Sequence, residues 1–101
     1  PPVGTDVNGF KYQGCFFDQQ SPRTLAAKFV SSSNVTPLTC VKYCQSFNYD
    51  LAGVEYGVEC YCDNVIGPAG KALDPAKCTV YACTNDITKN CGGDWAMALY
   101  A

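Results

Sequence analysis

Two short cysteine pairs constrain this chain more than any other feature. Cys40 and Cys44 stand four residues apart in Thr36-Pro37-Leu38-Thr39-Cys40-Val41-Lys42-Tyr43-Cys44-Gln45-Ser46-Phe47, and Cys60 and Cys62 flank Tyr61 in Val58-Glu59-Cys60-Tyr61-Cys62. Thr36 is a helix-capping residue type, and Pro37 fits a first helical position, where a missing N–H costs nothing. On a helix, positions i and i+4 share a face about 6 Å apart along the axis. On a strand, i and i+2 share a face at roughly 6.6 Å. The spacings nearly match, so a helix over about Pro37–Phe47 can lie along the second segment and be joined to it twice. Parity leaves open which helix cysteine meets which strand cysteine.

The remaining cysteines bring the total to 8 in 101 residues, an even number in a single-domain length. Such density points to disulfides and an oxidising, extracellular setting. Zinc is disfavoured, because the chain has no His and Cys60-x-Cys62 makes a poor chelate loop. The 7 Lys and Arg residues are scattered and the net charge is −2, which argues against a nucleic-acid or anionic-membrane surface. No run of ~20 apolar residues is present to insert in a membrane.

Residues 1–9 (PPVGTDVNG) are turn-formers and read as a flexible tail or linker, leaving 10–101 as the domain. Phe10 to Asp18 reads as a first strand with Gly14 as a bulge. Arg23 to Val30 fits a helical turn and a strand equally. Ser31 to Asn34 is a loop, and Asn34-Val35-Thr36 is a glycosylation sequon whose following Pro37 is unfavourable for the transferase. Leu51 to Glu55, a Tyr56-Gly57 turn and Val58 to Asp63 form a hairpin. With Cys60 and Cys62 towards the helix, Glu59, Tyr61 and Asp63 face away. Asn64 to Lys77 reads as a surface loop, and Cys78 to Cys91 as polar connections. After Gly92-Gly93, Asp94 to Tyr100 alternates as a closing strand, with Trp95, Met97 and Leu99 on one face and Ala96, Ala98 and Tyr100 on the other. A core this small is marginal alone, and each disulfide adds on the order of 2–4 kcal/mol.

Gly14-Cys15-Phe16-x-Asp18, Arg23-x-Leu25, Cys40-x-x-x-Cys44, Ala52-Gly53-Val54-Glu55-Tyr56-Gly57-x-Glu59-Cys60-Tyr61-Cys62-x-Asn64, Cys91-Gly92-Gly93-x-Trp95 and Leu99-Tyr100 together resemble a WSC domain. Asp63, where the family often has Gly, and the lengthened 64–77 loop depart from its pattern. The resemblance implies an α+β, PAN/apple-like fold, an antiparallel sheet cradling one helix. It also implies four bridges, Cys15–Cys78, Cys40–Cys60, Cys44–Cys62 and Cys83–Cys91. WSC domains occur mostly in fungal secreted and cell-surface proteins, as stress-sensor heads or as modules joined to oxidases or glycan-active enzymes. They are associated with polysaccharides such as β-glucan, xylan or chitin.

A glycan site needs exposed aromatic rings for flat sugar faces, and amides and carboxylates for hydroxyls. Tyr56, at the hairpin tip, is the first candidate, balanced against a turn residue folded onto the sheet. Tyr61 and Tyr100 are further candidates. For Tyr61, packing under a second layer is the stronger reading; Tyr100 is placed opposite Leu99. Trp95 follows a Gly-Gly turn that suits a rim, yet with Met97 and Leu99 on its face the core reading leads. Tyr81 is either part of a surface cluster or solvated. Glu55 is the polar candidate beside them. Asp63 and Asn64 complete the set, though both suit turn capping better. Glu55 and Glu59 also invite a glycosidase reading, but so small a chain offers little room for a cleft, and Glu59 suits a bond within the hairpin or to Arg23. With no His base and all cysteines bridged, nucleophilic catalysis lacks its parts. No cofactor or metal is expected.

The expectation is therefore a non-catalytic module binding cell-wall polysaccharide, secreted or held at the cell surface. It would be fused to a catalytic domain, to further such modules or to a membrane-anchored stalk. The alternative is a sensor or adhesion ectodomain whose aromatics serve protein contacts.

Overall fold

The computed structural model describes residues 5–101. One six-stranded antiparallel sheet carries the fold, built from β1 (Tyr12–Phe17), β2 (Lys28–Ser31), β3 (Leu51–Glu55), β4 (Glu59–Asp63), β5 (Ala72–Leu73) and β8 (Ala96–Tyr100) in the order β2-β4-β3-β8-β1-β5. A second, two-stranded sheet pairs β6 (Ala82–Cys83) with β7 (Asp86–Asn90). The single α-helix among the described residues, α1 (Pro37–Ser46), lies on one face of the large sheet.

Sequence chemistry sets these elements locally. Thr36 caps α1 by accepting from Thr39 N, while the Thr39 hydroxyl accepts from Thr36 N, and Pro37 occupies the first turn. Gly14 sits at φ 124° where the β1–β8 register slips, so the anticipated bulge is present. Arg23–Val30, open between two conformations in sequence, ends in strand β2, which pairs with β4 from Lys28↔Cys62 to Ser31↔Glu59.

All four implied bridges form, and the helix–strand register is Cys40–Cys60 and Cys44–Cys62, with Cα separations of 5.5 and 5.4 Å. The Sγ atoms of Cys40, Cys44 and Cys60 gather within 4.8 Å of one another because these two bridges are neighbours. All are oxidised, so they offer no thiolate to a metal.

Alternation divides the core in two. Cys60 and Cys62, with Ala52, Val54, Ala98 and Tyr100, pack under the helix against Cys40, Val41 and Cys44. Tyr61, Met97 and Leu99 face the opposite way and are covered by Leu25. Gly53 lies under that second cluster, where a Cβ would run into the Met97 side chain.

The structure corrects three local expectations. Residues 64–77, read as plain loop, contain β5 and lead into a 3-10 turn, Pro75–Cys78, and Gly67 N donates to Thr24 O at 2.7 Å. Cys78–Cys91 includes the β6–β7 hairpin. The β3–β4 connection is three residues, Tyr56 to Val58, because Glu55 pairs with Glu59. Of the segment expected as a tail, residues 1–4 lie outside the described residues. From Asp6 onward the chain is tied down: Val7 bridges Phe10, Tyr12 N donates to Asp6, and Asn8 Nδ2 donates to Gln45.

Candidate functional site

The sheet face opposite the helix carries a cleft in which aromatic and charged side chains converge. Glu55, last in β3, and Glu59, first in β4, pair across the hairpin, and parity sends both away from the helix with Tyr61. The connecting turn holds Tyr56 at φ 58° and Gly57 at φ 83°, left-handed conformations that lift the Tyr56 ring outward, 52% exposed. That ring meets Tyr81 edge-on at 5.1 Å, and Tyr81 donates its hydroxyl to Asp94 at 2.8 Å, which pushes the Tyr81 phenol upward. Gly57 N donates to Cys91 O at 2.9 Å, docking the hairpin tip on the following turn.

That turn explains Trp95. Gly93 N donates to Ala96 O at 2.9 Å, closing Gly93-Asp94-Trp95-Ala96 before β8 begins, with Trp95 at φ 51°. A Cβ on Gly93 would collide with the Lys77 carbonyl, so only glycine allows this approach. Trp95 thus precedes the alternating strand rather than belonging to it, and half its surface is open. The core placement favoured from sequence is overturned.

Arg23 joins the parts. Its Nη1 lies 2.8 Å from Asp18 Oδ2 and 3.8 Å from Glu55 Oε2. The guanidinium stands 4.9 Å from the Tyr61 ring centre and 5.6 Å from that of Trp95. Phe29 packs on Tyr61 at 4.9 Å, so Phe29, Tyr61, Arg23 and Trp95 run as one row. Beneath it two acids meet. Burial, then the hydrogen bond and charge of Asp18, pushes Glu55 up to about 9. Burial alone would raise Asp18 too, but hydrogen bonds from Glu55, Thr24 N and Arg23 outweigh it and hold Asp18 below the ordinary value. At neutral pH the pair is one neutral acid and one carboxylate. Glu55 Oε1 meets no protein donor. Tyr61 donates to Glu59 Oε1 at 3.0 Å; burial, then the Glu59 charge, holds its phenol well above the usual range.

Arg23, Glu55, Tyr56, Glu59, Asp94 and Trp95 line a cleft of about 340 Å³. A shallower hollow of about 240 Å³, floored by Tyr61 and Phe29, shares Arg23 and Glu59 with it.

Of the residues anticipated from sequence, Glu55, Tyr56 and Trp95 are brought together here. Tyr61 lies below, only 3% exposed under Phe29 and Arg23, as the packing reading had it. Tyr100 is a correction: it is 2% exposed in the helix-side core, 5.5 Å from Tyr12, with burial pushing it up to about 12. The opposite face from Leu99 is the face the helix covers. Asp63 and Asn64 are occupied structurally. Asp63 accepts from Ala26 N and Asn64 N, and Asn64 Oδ1 from Asp50 N. Glu59 bonds Tyr61, and the acids within 4 Å of Arg23 are Asp18 and Glu55. Asn34 Oδ1 accepts from Asn85 at 2.6 Å, and the sequon's Thr36 is the helix cap. Sequence reasoning missed Asp18, Arg23, Phe29 and Asp94 as site residues. Arg23-x-Leu25 was the available signal, since Leu25 is fully buried and fixes its neighbour over the sheet.

Comparison with known proteins identifies the framework. The WSC domain family model matches residues 12–93. The chain belongs to the WSC family. It is 36% identical over 88 residues to xylosyltransferase oxt of Drosophila melanogaster, covering 86% of this chain and 10% of that protein. It is 31% identical over 100 residues to a WSC domain-containing protein of Arthroderma benhamiae, covering 99% of this chain and 14% of the relative. Against human Kremen protein 2 it is 34% identical over 89 residues, 88% of this chain and 19% of the relative. The chain therefore spans a tenth to a fifth of the length of these relatives, and what they share is the WSC module. In this WSC domain the four bridges belong to an oxidising compartment, the secretory pathway or beyond.

Proposed function

We propose that this WSC domain is a non-catalytic carbohydrate-binding module that holds a cell-wall polysaccharide at the Trp95–Tyr56 cleft. One observation carries the reading: two half-exposed rings bracket a cleft whose walls are carboxyl groups, on a sheet fixed by disulfides. Aromatic faces take the apolar faces of sugar rings, and the carboxyl oxygens take hydroxyls. A rigid frame limits the ordering entropy lost on binding, though one small cleft gives modest affinity, which repetition or fusion multiplies. Similarity to segments of a fungal WSC domain-containing protein and of a xylosyltransferase supports a module carried on longer chains, one of them a sugar-transferring enzyme by name. Localisation at a cell surface or wall follows from the same proposal.

A second reading, protein contact in a sensor or adhesion head, is favoured by the far edge of the sheet. There Phe29 and Phe47 are about half-exposed, and Lys28 lies 4.2 Å from the Phe47 ring centre.

Sedimentation with insoluble β-1,3-glucan, xylan, chitin and cellulose separates the two. Retention on at least one polymer, lost in Trp95→Ala and weakened in Tyr56→Ala with disulfides and circular dichroism unchanged, supports the glycan module. No retention on any polymer overturns it in favour of protein contact.

A further inference from the structure

We propose that the cleft selects glycans bearing free ammonium groups, glucosamine-containing chains, over chains of uronic acids. The proposal rests on the carbohydrate reading above and names the sugar class that the same cleft prefers.

Charge on the cleft walls is one-sided. Among the described residues Arg23 is the only cation lining it, and its guanidinium is already committed to Asp18 at 2.8 Å, an acid with no exposure. Glu59 and Asp94 are the other charged walls, and among the described residues neither lies within 4 Å of a cation. With Glu55 neutral, one guanidinium stands against the carboxylates of Asp18, Glu59 and Asp94, a net charge of −2. A uronate entering here meets like charge and finds its natural arginine partner taken.

The vacant bonding capacity is also one-sided. Glu59 and Asp94 each spend one oxygen on a tyrosine hydroxyl, Tyr61 and Tyr81, leaving the other for a ligand. Glu55 is 2% exposed and its Oε1 meets no protein donor. The spare oxygens of Glu59 and Asp94 are acceptors awaiting donors, and an ammonium brings three of them with a complementary charge, while Glu55 Oε1 lies out of solvent beneath them. The rings of Trp95 and Tyr56 add π faces that attract cations and seat the sugar's apolar face.

Titration calorimetry at low salt tests this with the intact domain and soluble hexamers of glucosamine, N-acetylglucosamine, β-1,3-linked glucose and galacturonate. The glucosamine hexamer is expected to bind best, roughly fivefold above the two neutral hexamers, with galacturonate weakest, the size expected of partly exposed ion pairs. The margin should vanish at about 0.5 M NaCl and in Glu59→Gln and Asp94→Asn, but survive Asp50→Asn, a charge change outside the cleft lining. Neutral hexamers binding as well as glucosamine would overturn the amino-sugar preference and leave the carbohydrate reading standing. No hexamer binding at all would overturn both. A lysine hexapeptide binding as tightly as the glucosamine hexamer would overturn the assignment to a sugar.

Discussion

Arg23 and Asp18 form an ion pair, 2.8 Å long, in which the carboxylate has no solvent exposure and the guanidinium serves as a shelf between Tyr61 and Trp95. One side chain therefore both anchors the fold and lines the cleft. Removing one partner of a buried pair strands the other charge. Arg23→Ala is expected to destabilise the domain by roughly 3 kcal/mol and to weaken ligand retention by loosening Trp95. Arg23→Lys, which keeps charge but not the planar stack, should recover part of the stability and less of the retention. Urea unfolding with disulfides intact, run beside sedimentation, checks both; unchanged stability in Arg23→Ala would remove the ion pair from the account of the fold.

Glu55 predicts an acid-leaning stability profile. Its value rises from an ordinary 4.5 to about 9 in the folded domain, so the folded state holds a proton that the unfolded chain releases. That stabilisation is complete below pH 4.5 and is lost as pH climbs towards 9, at on the order of 1 kcal/mol per pH unit. Asp18 works oppositely: its value is lowered, so its contribution is present above the unfolded value of 3.8 and lost as pH falls through the folded one. Denaturation midpoints should therefore peak near pH 4 and decline towards pH 9. Glu55→Gln, neutral throughout, should flatten the alkaline limb. A flat wild-type profile across that range would show that the two acids share no proton.

The Gly93 turn is tested by one methyl group. Gly93→Ala places a Cβ against the Lys77 carbonyl and is expected to cost about 1–3 kcal/mol, the range of overpacked sites. Because this turn presents Trp95, the variant should also lose polymer retention while still folded below its melting point. Loss of stability without loss of retention would uncouple the turn from the site.

Trp95 and Tyr100 should separate cleanly. Tyr100→Ala empties a fully buried position and is expected to cost roughly 3–5 kcal/mol, as large-to-small core changes do, with retention per folded molecule unchanged. Trp95→Ala should do the reverse. Thermal unfolding paired with retention assays reads the two effects.

The helix, its cap, the hairpin and the faces of Cys60, Tyr61 and Cys62 were legible because local rules govern them: a capping threonine, an i+4 pair and a period of two. The register of the two middle bridges was not, since parity treats both pairings alike and only the resemblance chose. Alternation also sorts Met97 from Ala98 correctly, yet it misplaces Trp95 in the core and leaves the exposure of Tyr100 open. Trp95 continues the alternation in sequence, yet it sits in a tight turn that Gly93 N closes onto Ala96 O, made possible by the close approach of Gly93 to the distant Lys77 carbonyl. For Tyr100, alternation gives a face opposite Leu99 without saying whether that face is open, and both faces of this sheet are covered, one by the helix and one by the segment around Leu25. The Asp18–Arg23–Glu55 group joins three separate stretches, and no local pattern announces such a meeting.

The backbone pairing of Lys11 with Ala101, N to O at 2.7 and 3.0 Å, has a mechanical consequence. Tension applied at these two points would open β1 from β8 one rung at a time, the weak direction for an antiparallel pair. The opening would stop at Cys15, where the force passes through the bridge to Cys78 and then through Cys83–Cys91 towards β8. Residues 16–77, with Arg23, Phe29, Tyr56 and Tyr61 among them, hang outside that covalent load path. Most of the cleft thus rides on a loop that a stretched chain does not pull.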